Sequence, residues 1–350
     1  MKTIIPACGI AFAFAGIVLA ADPPGNRALL AQSDGFPTRV HCWEDYETDI
    51  EMRWWMAGKL ETTDLPTRGR RACRATLSKD FDDKMGDRKA MYRAVIFNPV
   101  PGPPMGANTR LRFRYKLTGT DVLRVQIYSL TNNYHRRLSL TGLPQGRWSR
   151  ATVDMTQLRR PDGSGGPLAE NERIDDIQFY IDPNAELLID DIVLYEAPAA
   201  GETRRFPQQI IFSGWFDTGK QGAEWPGAFA ITPHEKPRTW KAARPVAGPN
   251  GKPWLRIGLR GERRVDGMPE LLFRYRYTGT EPIDIELVHA ASGKMVSRKR
   301  VKMNTVDWEE KTVAFATDAG VKLDEIRFLL PTGADLRLDD LLLYVPGNRR

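Results

Sequence analysis

The sequence predicts an all-β chain built from two tandem antiparallel β-sandwich domains, and three observations carry that expectation. First, Leu111-Arg-Phe-Arg-Tyr-Lys-Leu-Thr-Gly-Thr120 returns as Leu271-Leu-Phe-Arg-Tyr-Arg-Tyr-Thr-Gly-Thr280, 160 residues later, with seven of ten positions identical. Self-similarity at a long fixed offset marks a duplicated unit. Second, Leu111, Phe113, Tyr115 and Leu117 alternate with Arg112, Arg114 and Lys116, and Leu123, Val125 and Ile127 alternate with Arg124, Gln126 and Tyr128. Period two is the mark of a half-buried strand. Third, no amphipathic segment of helical period runs beyond about two turns. Strands that cannot cover their apolar faces with helices pack sheet on sheet.

The elements follow in chain order. Lys2, the apolar run Ile10 to Val18, and Val18-Leu-Ala20 before Ala21-Asp22 read as a signal peptide over 1–20. That run is too short to cross a bilayer, which takes about 20 apolar residues, and no later stretch approaches that length. The expected address is therefore secreted, periplasmic or cell surface, with no transmembrane span. Residues 21–38, rich in Pro, Gly and polar groups, read as a flexible leader. The first sandwich is placed at 39–196 and the second at 209–346, joined by a linker at 197–208 that is small, proline-bearing and aperiodic. Within the repeat the offset holds at 160 through Trp148 and Trp308. It falls to 149 between Ile174-Asp-Asp-Ile-Gln-Phe179 and Leu323-Asp-Glu-Ile-Arg-Phe328, which assigns an extra loop around 161–167 to the first copy. Each copy closes alike, with Leu188-Ile-Asp-Asp-Ile-Val-Leu-Tyr195 and Arg337-Leu-Asp-Asp-Leu-Leu-Leu-Tyr344.

Composition removes several functions. A hydrophobic fraction of 41% over 350 residues, against a charged fraction of 27%, supports real cores, and a negative mean hydropathy excludes a polytopic membrane protein. The net charge of +7 comes from 36 Arg and 15 Lys scattered without a long basic run, which argues against nucleic acid as a partner and leaves acidic polysaccharide as a specific one. Beyond the leader only Cys42 and Cys73 remain, and outside the cytosol they form one bridge or stay as two buried thiols.

The opening Trp43-Glu-Asp45, the second-copy Phe216-Asp-Thr-Gly219, the segment Asn250-Gly-Lys-Pro-Trp-Leu-Arg-Ile257 and the closing apolar-Asp-Asp-apolar strands resemble a known group. They are similar to secreted jelly-roll, galactose-binding-like β-sandwiches of the carbohydrate-binding-module type. The resemblance spans nearly all of 39–346, and the looser Gly86-Asp-Arg-Lys-Ala-Met-Tyr-Arg93 departs from it. It implies a jelly-roll sandwich in each copy and carbohydrate as ligand. It also implies a structural calcium in each domain, held by Glu44 with Asp191 in the first copy and by Asp217 with Asp340 in the second. Two carboxylates and main-chain carbonyls are chemically suited to that ion.

Catalytic motifs are scarce. His41, His135, His234 and His289 stand apart, without metal-ligand spacing or a neighbouring nucleophile. The Asp162-Gly-Ser-Gly-Gly166 run lacks the strand-to-helix setting of a nucleophile elbow. Tyr134-His135-Arg136 with Gln126 offers the residue types of a polysaccharide lyase, but the segment reads as an exposed hairpin tip. Sugar binding asks less, because aromatic rings stack on pyranose faces and planar polar groups bond hydroxyls. Opposite the core, the first copy presents Arg112, Arg114, Arg124, Gln126, Tyr128, Gln178 and Tyr180 as a glycan platform, its arginines suited to an acidic ligand. The second copy substitutes Leu272, Arg274, Asp284, Glu286, Val288 and Arg327 and reads as a structural twin. The expectation is an exported, non-catalytic glycan-binding protein. A structural or adhesive protein that binds other proteins, and a lyase or hydrolase, stand as alternatives.

Overall fold

The computed structural model describes residues 35–48, 55–63, 69–77, 92–98, 102–222, 224–233, 240–304 and 307–347. The expected signal peptide, most of the leader, Trp54, His234 and residues 86–91 lie outside the described residues. Apart from two short 3-10 turns, Met155–Gln157 and Ala290–Ser292, the regular structure of the described residues is strand, and every ladder is antiparallel. No helix among them is long and apolar enough to cross a membrane.

Each copy of the repeat folds into two facing sheets. In the first, Trp148–Asp154, Thr109–Thr118, Glu186–Glu196, Arg71–Arg74 and Lys59–Thr62 lie side by side, with Arg39–Glu44 also paired to Glu186–Glu196. The facing sheet runs Tyr134–Leu140, Leu123–Ser129, Glu172–Ile181, Arg93–Phe97 and Trp55–Ala57. In the second copy Gln209–Gly214 pairs with Asp335–Val345, which is flanked by Ala243–Arg244 and Glu270–Thr278. Its facing sheet centres on Pro253–Val265, Val321–Leu329, Ile283–His289 and Lys294–Val301.

Alternation decides what each sheet buries. Leu111, Phe113, Tyr115 and Leu117 point inward onto Val125, Ile127 and Phe179, and the Phe113 and Phe179 rings meet edge to face at 4.9 Å. The duplicated pair, Phe273 and Phe328, repeats the contact at 5.5 Å. Such pairs add about 0.5–1.5 kcal/mol beyond their area. Cys42 and Cys73 are free thiols buried in the first core, the second of the two alternatives, and burial raises both above the ordinary thiol value.

The two sandwiches dock through the sheets that carry their first and last strands. Val40, Val193 and Tyr195 of the first copy pack with Ile210, Leu272, Leu342 and Tyr344 of the second. The Trp215 indole N–H donates to the His41 carbonyl across this junction at 2.6 Å, so a buried tryptophan of one core is satisfied by the backbone of the other. The outward faces of the two remaining sheets are left for other work.

Candidate functional site

The outward face of the first copy's facing sheet collects most of the polar residues nominated from sequence. Arg124, Gln126 and Tyr128 alternate with the core residues Leu123, Val125 and Ile127 on one strand, while Gln178 and Tyr180 alternate with Ile177, Phe179 and Ile181 on its neighbour. The ladder places Gln178 opposite Gln126 and Tyr180 opposite Arg124. Cross-strand neighbours of this kind stand about 4.5–5.5 Å apart at Cβ, close enough to bond.

They form a relay. Gln126 Nε2 donates to Gln178 Oε1 at 2.9 Å, the Tyr180 hydroxyl donates to the same oxygen at 2.9 Å, and Gln178 Nε2 donates to Asp176 Oδ2 at 2.6 Å. All four side chains are buried, and Gln126 Oε1 has no hydrogen-bond partner. An acceptor left in that state costs about 1–3 kcal/mol.

The rim is wetter. Tyr92 packs edge-on against Tyr180, with ring centroids 6.1 Å apart, and the Arg124 guanidinium sits 5.0 Å from the Tyr92 ring. Across the ladder from Tyr128 stands His135, its ring 4.9 Å away. Arg137 stands opposite Gln126, and its guanidinium is held below its ordinary value, first by burial and then by Arg124. The arrangement is two guanidiniums and three tyrosines around an amide floor. It offers planar donors and ring faces at the rim, above an acceptor that is itself buried.

Sequence reasoning missed Tyr92, His135 as a rim residue, Arg137 and Asp176. Arg137 was legible from alternation within Tyr134–Leu140, which is a strand here; the expected hairpin tip falls just before it, at 130–133. The lyase set also separates in space. Arg136 turns inward to a buried pair with Glu172, its Nε 2.8 Å from Oε1 and Nη2 3.0 Å from Oε2, while His135 faces outward.

Arg112 and Arg114 do not join this face. They project from Thr109–Thr118 on the other sheet, into the cleft at the junction, where Arg112 lies 3.8 Å over the Phe206 ring of the linker and Arg114 Nη1 stands 3.5 Å from Asp191 of its own copy. Among the tryptophans, Trp225 is core, Trp240 lies beneath Arg274, and Trp254 stands beside Arg256 and Arg327. The face of the second copy equivalent to the relay is neutralised by its own charges. Arg298 reaches Asp284 at 2.6 Å, Arg327 reaches Glu325 at 2.5 Å, and Arg256 reaches Glu325 at 3.4 Å.

The residues nominated for calcium do not assemble a shell of oxygens. In the second copy both carboxylates hold a guanidinium: Arg39 Nη1 lies 3.3 Å from Asp217 and its Nη2 3.0 Å from Asp340, which also meets Arg274 at 3.3 Å. A divalent ion there would sit against a buried arginine. In the first copy Glu44 Oε1 accepts the Tyr46 N–H at 2.6 Å while Asp191 turns to Arg114. No group of three or more His, Cys, Asp or Glu among the described residues is placed to hold a metal ion. The register explains the mismatch. Glu44 pairs with Ile192 and Gly214 with Leu341, equivalent rungs of the two closing strands, so the partner of Asp217 in the first copy is Glu47 and not Glu44. Tyr46 and Phe216 confirm the register, each preceding that acid with a positive φ, 56° and 52°.

No family model and no curated protein matches the chain. Solved structures similar to it include a tandem pair of family 22 carbohydrate-binding modules from Paenibacillus barcinonensis, 10% identical over 90% of this chain and 98% of that one, with a TM-score of 0.31. A family 11 carbohydrate-binding module from Clostridium thermocellum, in complex with a β-1,3-1,4-mixed-linked tetrasaccharide, is 17% identical over 46% and 97%, with a TM-score of 0.32. An isomalto-dextranase from Arthrobacter globiformis T6, complexed with panose, is 13% identical over 77% and 38%, with a TM-score of 0.28.

Proposed function

We propose that the chain is an exported, non-catalytic carbohydrate-binding protein that takes a saccharide on the outward face of its first sandwich. The observation that carries this reading is the half-buried rim of Tyr92, Arg124, Tyr128 and Arg137, held over the buried Gln126–Gln178–Tyr180 relay. Hydroxyls both donate and accept, and this face offers both roles beside ring surfaces. The two guanidiniums, with the Asp182 carboxylate 3.7 Å from Arg124, favour a glycan bearing acid groups. The second sandwich, its equivalent face closed by ion pairs, acts as the buttress.

The test is binding of the purified chain to neutral and acidic polysaccharides at low and moderate salt, with released product followed in the same wells. Binding to an acidic glycan, weakened at least tenfold by Arg124→Ala and Tyr128→Ala, is the expected result. Oligosaccharide release would replace the reading with an enzyme. Silence on every glycan would replace it with a structural or adhesive protein.

A further inference from the structure

The duplication provides an internal comparison for a cleft that the glycan face does not use. Arg39 and Gln209 occupy the same rung: Arg39 pairs with Glu196 and Gln209 with Val345, equivalent residues of the closing strands. Arg39 crosses the junction and seats its guanidinium between Asp217 and Asp340. Gln209 does not cross. Its amide folds back onto its own sandwich, Nε2 donating to the Arg264 carbonyl at 2.8 Å and Oε1 accepting the Asp266 N–H at 3.2 Å.

The acids that would receive the missing side chain are nevertheless in place. Glu47 and Asp191 are the counterparts of Asp217 and Asp340, and Arg114 stands behind Asp191 as Arg274 stands behind Asp340. What lies between them is a cleft of about 430 Å³, lined among others by Glu47, Asp190, Asp191 and Gln209. Arg263 of the second copy also lines it and pairs with Asp45 at 2.8 Å, leaving Glu47 to accept the Arg70 and Arg71 N–H groups. Volumes of about 300–1,000 Å³ are typical of small-ligand sites. Asp190 is 2% exposed and its Oδ1 has no hydrogen-bond partner. The first copy also puts guanidiniums where the second has none: Arg112 and Arg150 line the cleft at the positions of Leu272 and Glu310.

We propose that this cleft binds a small zwitterion, its guanidinium or ammonium head seated against Glu47 and Asp191 as Arg39 is seated in the second copy, with the buried, unpartnered Asp190 Oδ1 lining the same cleft, and its acidic tail met by Arg112 and Arg150. The head is assigned N–H donors because the counterpart acids of the second copy, Asp217 and Asp340, hold the Arg39 guanidinium. The site is separate from the glycan face and does not rest on it.

Free L-arginine is the probe, titrated calorimetrically into the full chain beside methylguanidinium and acetate. Wild type and Gln209→Ala are expected to bind arginine saturably at one site, more tightly than either fragment. Gln209→Arg restores the side chain that fills the seat in the other copy, so binding should fall at least tenfold while the melting temperature holds or rises. Asp191→Asn, a partly exposed change, should weaken binding tenfold as well and serves if Gln209→Arg fails to fold. No saturable arginine binding by wild type, or undiminished affinity in the folded variants, overturns the proposal.

Discussion

Arg39 of the first sandwich and Asp340 of the second close the junction with an ion pair, Nη2 to Oδ2 at 3.0 Å, and Asp217 shares the same guanidinium at 3.3 Å. The three side chains are only 11–17% exposed. Removing the cation leaves two carboxylates facing each other, with Arg274 beside Asp340 at 3.3 Å.

Arg39→Gln should therefore destabilise the folded chain by about 3 kcal/mol, the order expected when one partner of a buried pair is lost. The loss should also uncouple the sandwiches. Urea denaturation followed by tryptophan fluorescence is expected to change from one transition to two, because Trp215 reports on the junction through its bond to His41. A single transition at the wild-type midpoint would show that the apolar contacts alone hold the docking.

Asp190 and Asp339 are repeat equivalents, and both sit well above the ordinary carboxylate range, through burial first and then the adjoining Asp191 or Asp340. Each is protonated in the folded chain over a range where the unfolded chain, near 3.9, has lost its proton. The folded state then binds more protons, so stability falls as pH rises above about 4. Asp190→Asn removes that slope. It should raise the denaturation midpoint at pH 7 and lose its advantage as pH falls toward 4. Asp339→Asn should gain less, because Arg39 already offsets part of the charge there. Equal midpoints at pH 7 for wild type and Asp190→Asn would contradict the assignment.

Much of this architecture was legible because a strand has period two. Leu111 to Leu117 and Leu123 to Ile127 declare which side chains go inward, and the repeat declares two domains. Periodicity separates inside from outside but does not say which sheet a strand joins. Arg112 and Arg124 alternate identically with their cores, yet one faces the second sandwich and the other the open platform. The opening acids failed for a different reason. Glu44 and Asp217 were matched by the aromatic residues before them, whereas the ladder register, with a bulge between Val40 and Cys42 and again between Ile210 and Phe212, sets Glu47 against Asp217. Tyr92 carried no signal, since it lies at the end of the segment where the repeat is loosest.

The Arg136–Glu172 pair is the most enclosed ion pair of the first sandwich among the described residues, with side chains 3% and 0% exposed. Burial acts to raise the Glu172 carboxyl, but the Arg136 hydrogen bonds and further ones from Ser129 and Ala169 win and hold it below its ordinary value. Its stabilisation is therefore complete above the unfolded value of about 4.3 and is lost as pH falls through the depressed folded one. Glu172→Gln should cost about 3–5 kcal/mol at pH 7 and should flatten the acid limb of the stability profile. An unchanged acid limb would mean that other carboxylates set it.

Calcium gives the sharpest division between resemblance and geometry. If the ion tied first strand to last, a chelator would lower the melting temperature and added calcium would restore it. The expected outcome is no shift with chelator, because the Asp217 and Asp340 oxygens are taken by Arg39 and the Glu44 oxygen by the Tyr46 N–H. Arg39→Ala changes the situation by vacating a seat of two carboxylates, with the Trp215 carbonyl, which accepts the Asp217 N–H, beside it. Calcium then has oxygens to bind, so millimolar calcium should recover part of the lost stability in Arg39→Ala and none in wild type. A chelator effect on wild type would return the ion to the site and make Arg39 its neighbour instead of its replacement.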